Sequence, residues 1–134
     1  MVKAPDRTGH NSAEQGAQRP ILVVEDNPEQ LEMLGILLHS DHYAVDLTAD
    51  GRQALDRLDR QRPALVILDW YLPNISGSLV AGAIRERYGT QVPILVLSAF
   101  AVGTEAMAAG ADAFLSKPYH IAELVGTIRW LLAA

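Results

Sequence analysis

Five polar side chains directly follow or end runs of apolar residues, and together they could bind a metal ion and a phosphate-like anion. These residues are Glu25, Asp26, Asp69, Ser98 and Lys117. The unbroken apolar run 64–68, ahead of Asp69, is typical of a strand buried on both faces in a parallel sheet. Parallel strands end at one edge of a sheet, where ligands and chemistry collect, so we expect these side chains to lie close together.

Three carboxylates in one pocket repel one another, and at least one pKa would rise without a counter-ion. A hard divalent cation resolves this repulsion, because Mg²⁺ prefers oxygen ligands and binds one or two carboxylates together with a substrate phosphate. Taken singly, Asp69 could start a turn, Ser98 could be an ordinary strand-end hydroxyl and Lys117 could be a solvated lysine. The combination of acids, a hydroxyl and an ammonium at four strand ends favours a functional site.

Five strand-like runs alternate with helical patterns along the chain. The strands are predicted at residues 21–24, 43–48, 64–68, 92–97 and 113–115. Asn27 is typical of a helix N-cap, with Pro28 at the first helical position. The alternation, with its short links, predicts an α/β fold with a parallel sheet, helices on both faces and right-handed crossovers.

The composition bounds the class of protein. A chain of 134 residues that is 49% hydrophobic is long enough for one domain, which we expect at residues 20–134, after a flexible N-terminal tail at residues 1–19. The absence of cysteine suits a reducing, cytoplasmic compartment. The net charge of −5 argues against direct nucleic-acid binding, and no apolar run is long enough to span a membrane. Neither a G-x-G-x-x-G nor a Walker-type glycine motif occurs, which disfavours a nucleotide-binding enzyme.

The segment from about Pro20 to Ala134 resembles the receiver domain of two-component response regulators. The resemblance rests on the five polar positions above, with Ala99 after Ser98 and Pro118 after Lys117. Supporting matches are Trp70, Pro73, Gly77, the run 109–112 and Phe114. The resemblance implies a flavodoxin-like (βα)5 doubly wound sheet with strand order 2-1-3-4-5, and a cis bond between Lys117 and Pro118.

By this resemblance, Asp69 is the phosphoacceptor and forms an aspartyl phosphate. Asp26 and Asp69 would bind Mg²⁺ (or Mn²⁺) directly, together with the backbone carbonyl of Tyr71, and Glu25 would act through water. The phosphoryl group would come from a phosphohistidine on a histidine kinase or a histidine phosphotransfer protein. The protein would then be a phosphoacceptor that assists its own phosphotransfer and dephosphorylation rather than an enzyme acting on other molecules.

The resemblance also implies a switch. Lys117 and the backbone of Ala99 would bind phosphoryl oxygens, and the hydroxyl of Ser98 would bind another. That bond would pull the loop after the fourth strand inward and let Phe114 turn into the vacated space. A downstream protein effector would read the change, without direct contact to nucleic acid or membrane. The alternative is a scaffold that kept the fold and binds its partner regardless of phosphate.

Three features of the chain lead to more specific expectations. The stretch between Ser98 and Lys117 is about one helical turn shorter than in typical receivers, so we expect a short or irregular fourth helix. Tyr71 and Phe100 take the positions that flank the in-line water path, and we expect them to exclude water and prolong the phosphorylated state. On the outer face of the last helix, Trp130, with Tyr119 on the same side, suggests an interface with a partner or a second copy of the chain.

Overall fold

The computed structural model describes residues 18–133, so nearly all of the predicted tail at residues 1–19 lies outside the described part. The strands are β1 (Ile21–Val24), β2 (Val45–Thr48), β3 (Leu65–Asp69), β4 (Ile94–Ser98) and β5 (Ala113–Ser116). The helices are α1 (Pro28–Ser40), α2 (Gly51–Arg60), α3 (Gly77–Tyr88), α4 (Gly103–Ala108) and α5 (Ile121–Ala133), with a 3-10 turn at Gly89–Gln91. All neighbouring strands are parallel and their order is β2-β1-β3-β4-β5, which confirms the predicted fold.

The sheet divides the core into two layers. Alternate residues of each strand point to opposite faces, so Leu22 and Val24 of β1 pack with α2, α3 and α4. Ile21 and Val23 of the same strand pack on the other face with α1 and α5. The three inner strands, β1, β3 and β4, are buried along their whole length, as their unbroken apolar runs predict.

The predicted start of α1 is confirmed. The side-chain oxygen of Asn27 accepts a hydrogen bond from the backbone N–H of Gln30 (3.0 Å), and Pro28 occupies the first turn. Asp50 and Ser76 cap α2 and α3 in the same way. Because a helix that follows a strand starts at the carboxyl edge of the sheet, the capped first turn of α1 lies beside the acidic pair that ends β1.

The fourth helix is short, as predicted. It has six residues and lacks a side-chain hydrogen bond at its N-cap, Val102. After α4, the backbone turns at Gly110, whose φ of 109° lies in a region that favours glycine. The bond between Lys117 and Pro118 is cis, as the resemblance implies.

Helix faces differ from the prediction in detail. The spacing of apolar residues predicts that Leu79 faces inward with Val80, Ala83 and Ile84, and that Leu132 lies on the inner stripe of α5. Leu79 is exposed instead, and near the C-terminus of α5 the buried residue is Leu131 rather than Leu132. Tyr119 does not share the exposed side of Trp130, because it precedes α5 and is partly buried against the layer that holds α1 and α5. Within residues 18–133, no helix has the length and apolar character needed to cross a lipid bilayer.

Candidate functional site

The acidic side chains of β1 and β3 meet because the two strands are adjacent and in register. Val24 pairs with Leu68, so Glu25 and Asp69 are the next residues on neighbouring strands. Carboxylate oxygens of Glu25, Asp26 and Asp69 lie within 4.8 Å of one another. Glu25 and Asp69 are buried, whereas Asp26 is exposed, so the cluster opens to solvent on the side of Asp26.

Lys117 reaches this cluster from the end of β5. Its Nζ lies 2.8 Å from Oε1 of Glu25 and 3.4 Å from Oδ2 of Asp69. Burial alone would lower the pKa of Lys117, but the hydrogen bond to Glu25 and the charges of Asp69 and Glu25 outweigh it and raise the pKa. Lys117 therefore stays an ammonium and is the positive charge at the site.

The single positive charge of Lys117 does not fully compensate the negative charges of the three carboxylates. Burial, followed by the charge of Glu25, raises the pKa of Asp69 from 3.8 to about 6, although Lys117 lowers it. The net result is a partly desolvated carboxylate that is still mostly ionised at neutral pH. Three carboxylates whose oxygens lie within 4.8 Å of one another, with an excess of negative charge, match the oxygen donors that Mg²⁺ prefers, so the residues fit that ion.

The β4 end contributes Ser98, Ala99 and Phe100. Ser98 is buried, and its Oγ accepts a hydrogen bond from the backbone N–H of Phe100 (3.1 Å). Ala99 is exposed. Phe114 is partly buried beneath the start of α4, where a Cβ added at Gly103 would lie 3.4 Å from its ring. The loop after β4 is thus the element that connects the hydroxyl at the site with the aromatic ring predicted to move.

Two exposed aromatic residues, Tyr71 and Phe100, come shortly after the ends of β3 and β4. Tyr71 follows Asp69 by two residues, and its backbone N–H donates to Oδ1 of Asp69 (3.3 Å). The ring of Tyr71 contacts the ring of Phe100, which joins the loops after β3 and β4. Trp130 is also exposed, but it lies on α5 and takes no part in this cluster.

Two residues of the site were not assigned a role from the sequence: Gln30 was not singled out, and Gly77 was named only as a match to the family. Gln30, in the first turn of α1, places its Oε1 at 2.6 Å from Nζ of Lys117. Gly77, which begins α3, approaches the backbone so closely that a Cβ would lie 2.7 Å from the Trp70 carbonyl oxygen and 3.0 Å from that of Asp69. The only sequence signal for Gln30 is a polar residue in a helix turn that starts beside the acidic pair.

The fold and this site define a class. Residues 21–129 match the family model for the response regulator receiver domain, and the chain belongs to that family. The response regulator MprA of Mycolicibacterium vanbaalenii is 41% identical over 115 residues, which are 84% of this chain and 49% of the relative. The response regulator RppA of Synechocystis is 38% identical over 116 residues, 83% of this chain and 49% of the relative. The chain therefore spans about half the length of these relatives.

Solved structures with the same fold include receivers that hold a metal ion. The receiver domain of a sensor histidine kinase from Pseudomonas aeruginosa, with magnesium coordinated in its active-site cleft, is 34% identical, with a TM-score of 0.79 over 87% of this chain and 99% of that one. The response regulator TrrA of Thermotoga maritima, in complex with Mg²⁺ and BeF, is 33% identical, with a TM-score of 0.78 over 86% and 100%. A response regulator of Chloroflexus aurantiacus is 30% identical, with a TM-score of 0.81 over 87% and 99%.

Proposed function

We propose that residues 20–134 act as a phosphorylatable receiver in which Asp69 accepts a phosphoryl group from a phosphohistidine. The observation that carries the proposal is the contact of Lys117 with both Glu25 and Asp69, which joins an ammonium to two buried carboxylates in a cluster of three acids that fits a metal ion. Lys117, Glu25 and Asp69 lie at the ends of three different strands. Packing of the fold by itself does not require their side chains to meet.

In the reaction, an Oδ of Asp69 attacks phosphorus, the new O–P bond forms as the P–N bond of the phosphohistidine breaks, and the imidazole leaves with the electron pair and takes up a proton. Asp69 is suited to this role because it is mostly ionised at neutral pH yet partly desolvated. Mg²⁺ or Mn²⁺, held by Asp26, Asp69 and the Tyr71 carbonyl, with Glu25 acting through water, would supply charge neutralisation for the transferred oxygens.

After transfer, negative charge moves outward from Asp69 onto the phosphoryl oxygens. Lys117 would follow it as a point charge, and the backbone N–H of Ala99 and the Ser98 hydroxyl would donate to other oxygens. For the Ser98 hydroxyl to reach a phosphoryl oxygen, the loop after β4 would have to turn. The Oγ of Ser98 already contacts this loop, because it accepts a hydrogen bond from the backbone N–H of Phe100. Phe114, packed at the start of α4, would occupy the space that this loop leaves, and the change would be read by a protein effector.

The donor would be a histidine kinase or a histidine phosphotransfer protein, and the site would act in the cytoplasm, without direct nucleic-acid or membrane binding. The support is the family of the chain and the acidic composition. The alternative, a scaffold that binds its partner regardless of phosphate, predicts the same fold but no use of the acids.

Incubation of the protein with acetyl phosphate and Mg²⁺ distinguishes the phosphorylatable receiver from the phosphate-independent scaffold. A receiver gains the mass of one phosphoryl group, and Asp69→Ala abolishes the gain while its far-UV circular dichroism stays native, because removal of one of several like charges relieves repulsion. Glu29→Ala, which removes an exposed acid of the first turn of α1, is the matched control and should keep the gain. No mass gain on the native chain would favour the scaffold.

A further inference from the structure

Hydrogen bonds join Lys117 to the N-terminus of α1 in a closed ring. Lys117 Nζ donates to Oε1 of Glu25 (2.8 Å), and Oε2 of the same carboxylate accepts from the backbone N–H of Asn27 (3.1 Å). The side-chain oxygen of Asn27 accepts from the backbone N–H of Gln30, and Oε1 of Gln30 accepts from Lys117 at 2.6 Å. Four residues therefore fix one another at the edge of the phosphorylation site.

Lys117 has three N–H donors and three oxygen partners in this arrangement. Gln30 and Glu25 are held at 2.6 and 2.8 Å, while Asp69 lies farther away at 3.4 Å. The two short bonds use two of the three donors, which leaves one N–H of Lys117 for Oδ2 of Asp69. That is where a phosphoryl group would add its negative charge.

The partners differ in charge. Gln30 is neutral, so it can orient the ammonium without adding a fourth carboxylate to a site where acids already raise the pKa of Asp69. Its main chain is anchored by the N-cap, and it is partly buried, so its side chain does not have the freedom of a surface glutamine. An ammonium on a flexible four-carbon stem gains most from such a fixed acceptor.

We propose that Gln30 is a positioning residue for phosphoryl transfer: together with Glu25, it holds Lys117 so that its remaining proton faces the Asp69 oxygen that receives the phosphoryl group. This inference rests on the proposed function. Gln30 acts through Lys117 and touches neither the phosphoryl donor nor the reacting oxygen.

The test measures the rate of phosphoryl gain from acetyl phosphate with saturating Mg²⁺, by mass spectrometry. Gln30→Met keeps the length of the side chain and removes the acceptor, and it should slow the gain by about threefold to tenfold, the range that corresponds to the net contribution of one typical hydrogen bond. Gln30→Ala, which favours helix, should slow it similarly and replaces Gln30→Met if that variant unfolds.

The matched control is Gln91→Met, which makes the same change at a glutamine whose side-chain oxygen accepts a hydrogen bond from Arg62. Gln91 lies just before the start of β4, at the edge of the sheet opposite the site. It should phosphorylate at the native rate. In a Lys117→Met background, Gln30→Met should not slow phosphorylation further, because the ammonium that Gln30 positions is then absent.

These outcomes distinguish the inference from the function on which it rests. If the native chain gains no phosphoryl group, the proposed function fails. If the native chain is phosphorylated and Gln30→Met matches it, the positioning role is wrong. An equal slowing by Gln30→Met with and without Lys117 would also overturn it, since a loss that does not pass through Lys117 is a general structural effect.

Discussion

The ring of Tyr71 stands edge-on to the ring of Phe100, with centroids 5.1 Å apart and planes at 78°. The two residues come from different loops, after β3 and after β4, and their side chains are 54% and 62% exposed. Edge-on aromatic pairs favour each other by about 0.5–1.5 kcal/mol, so the contact holds the loop after β3 against the loop after β4.

We expect this pair to prolong the life of the aspartyl phosphate. Hydrolysis needs a water in line with the phosphoryl group and opposite the leaving carboxylate, and neither ring is suited to orient that water there. Tyr71→Asn with Phe100→Glu would replace both rings by groups that can hold water, and should lose phosphate several-fold faster than the native chain. The decay of the phosphorylated mass after removal of donor measures this rate.

Trp130→Asn is the control for that experiment, because it changes an exposed aromatic on α5 that does not belong to the site. It should decay like the native chain. Equal decay of the native chain and the double variant would show that the aromatic pair does not protect the bond.

Gly77 should tolerate no side chain. A Cβ there would lie 2.7 Å from the Trp70 carbonyl oxygen and 2.8 Å from the Trp70 Cα, both backbone atoms that cannot turn away. Gly77→Ala should lower the free energy of unfolding by about 1–3 kcal/mol and slow phosphorylation, because it pushes on the segment that carries Asp69.

The matched control is in the same helix. A Cβ at Gly82 meets no atom within 4 Å, and Ala is favoured over Gly in a helix by about 0.8–1.0 kcal/mol, so Gly82→Ala should stabilise the protein. Denaturation in urea measures both variants. Equal effects of the two substitutions would contradict the close approach at Gly77.

The ionised form of Asp69 should destabilise the fold in the absence of a metal ion. Its pKa is raised from 3.8 to about 6 in the folded protein, so the folded state binds the proton more tightly and stability falls as the pH rises through that range. At pH values above this range, the ionised carboxylate of Asp69 destabilises the folded state. Asp69→Asn cannot ionise and should be the more stable protein at neutral pH.

Urea denaturation across this range of pH, with chelator present, tests whether the free energy of unfolding of the native chain falls as the pH rises. The advantage of Asp69→Asn should shrink toward acid and vanish below about pH 4, where both the folded and unfolded states hold the proton. Mg²⁺ should stabilise the native chain more than the variant at neutral pH. An advantage that grows toward acid would contradict the assigned cause.

Trp130 should contribute to binding rather than to stability. Its side chain is 65% exposed, so Trp130→Ala should change the free energy of unfolding by less than about 0.5 kcal/mol. Leu131→Ala, one residue along and buried, should cost about 2–5 kcal/mol. The interface prediction adds that Trp130→Ala weakens self-association or effector binding. A native chain that stays monomeric in sedimentation, and binds its effector as Trp130→Ala does, would refute that part.

The sequence by itself determines most of the framework. The unbroken apolar runs identify the inner strands because a strand covered on both faces needs apolar residues on both. Asn27 with Pro28 identifies the start of α1 because capping is a local interaction among neighbouring residues. The polar residues at the strand ends identify the acidic cluster, because parallel strands bring their carboxyl ends to one edge whatever the packing around them.

Helix faces were predicted only approximately. The spacing of apolar residues indicates a stripe, but the rotation of each helix about its axis depends on the sheet beneath it. Leu79 is exposed and Leu131 is buried for this reason, whereas Tyr119 is packed because it lies before the start of α5.

The contact between Lys117 and Gln30 was decided by the tertiary structure alone. Gln30 and Lys117 are 87 residues apart in sequence, and no local pattern indicates that the first turn of α1 and the end of β5 place them 2.6 Å apart. The raised pKa of Asp69 is likewise a property of the fold, because burial and the neighbouring Glu25 cause it, and both exist only once β1 and β3 are paired.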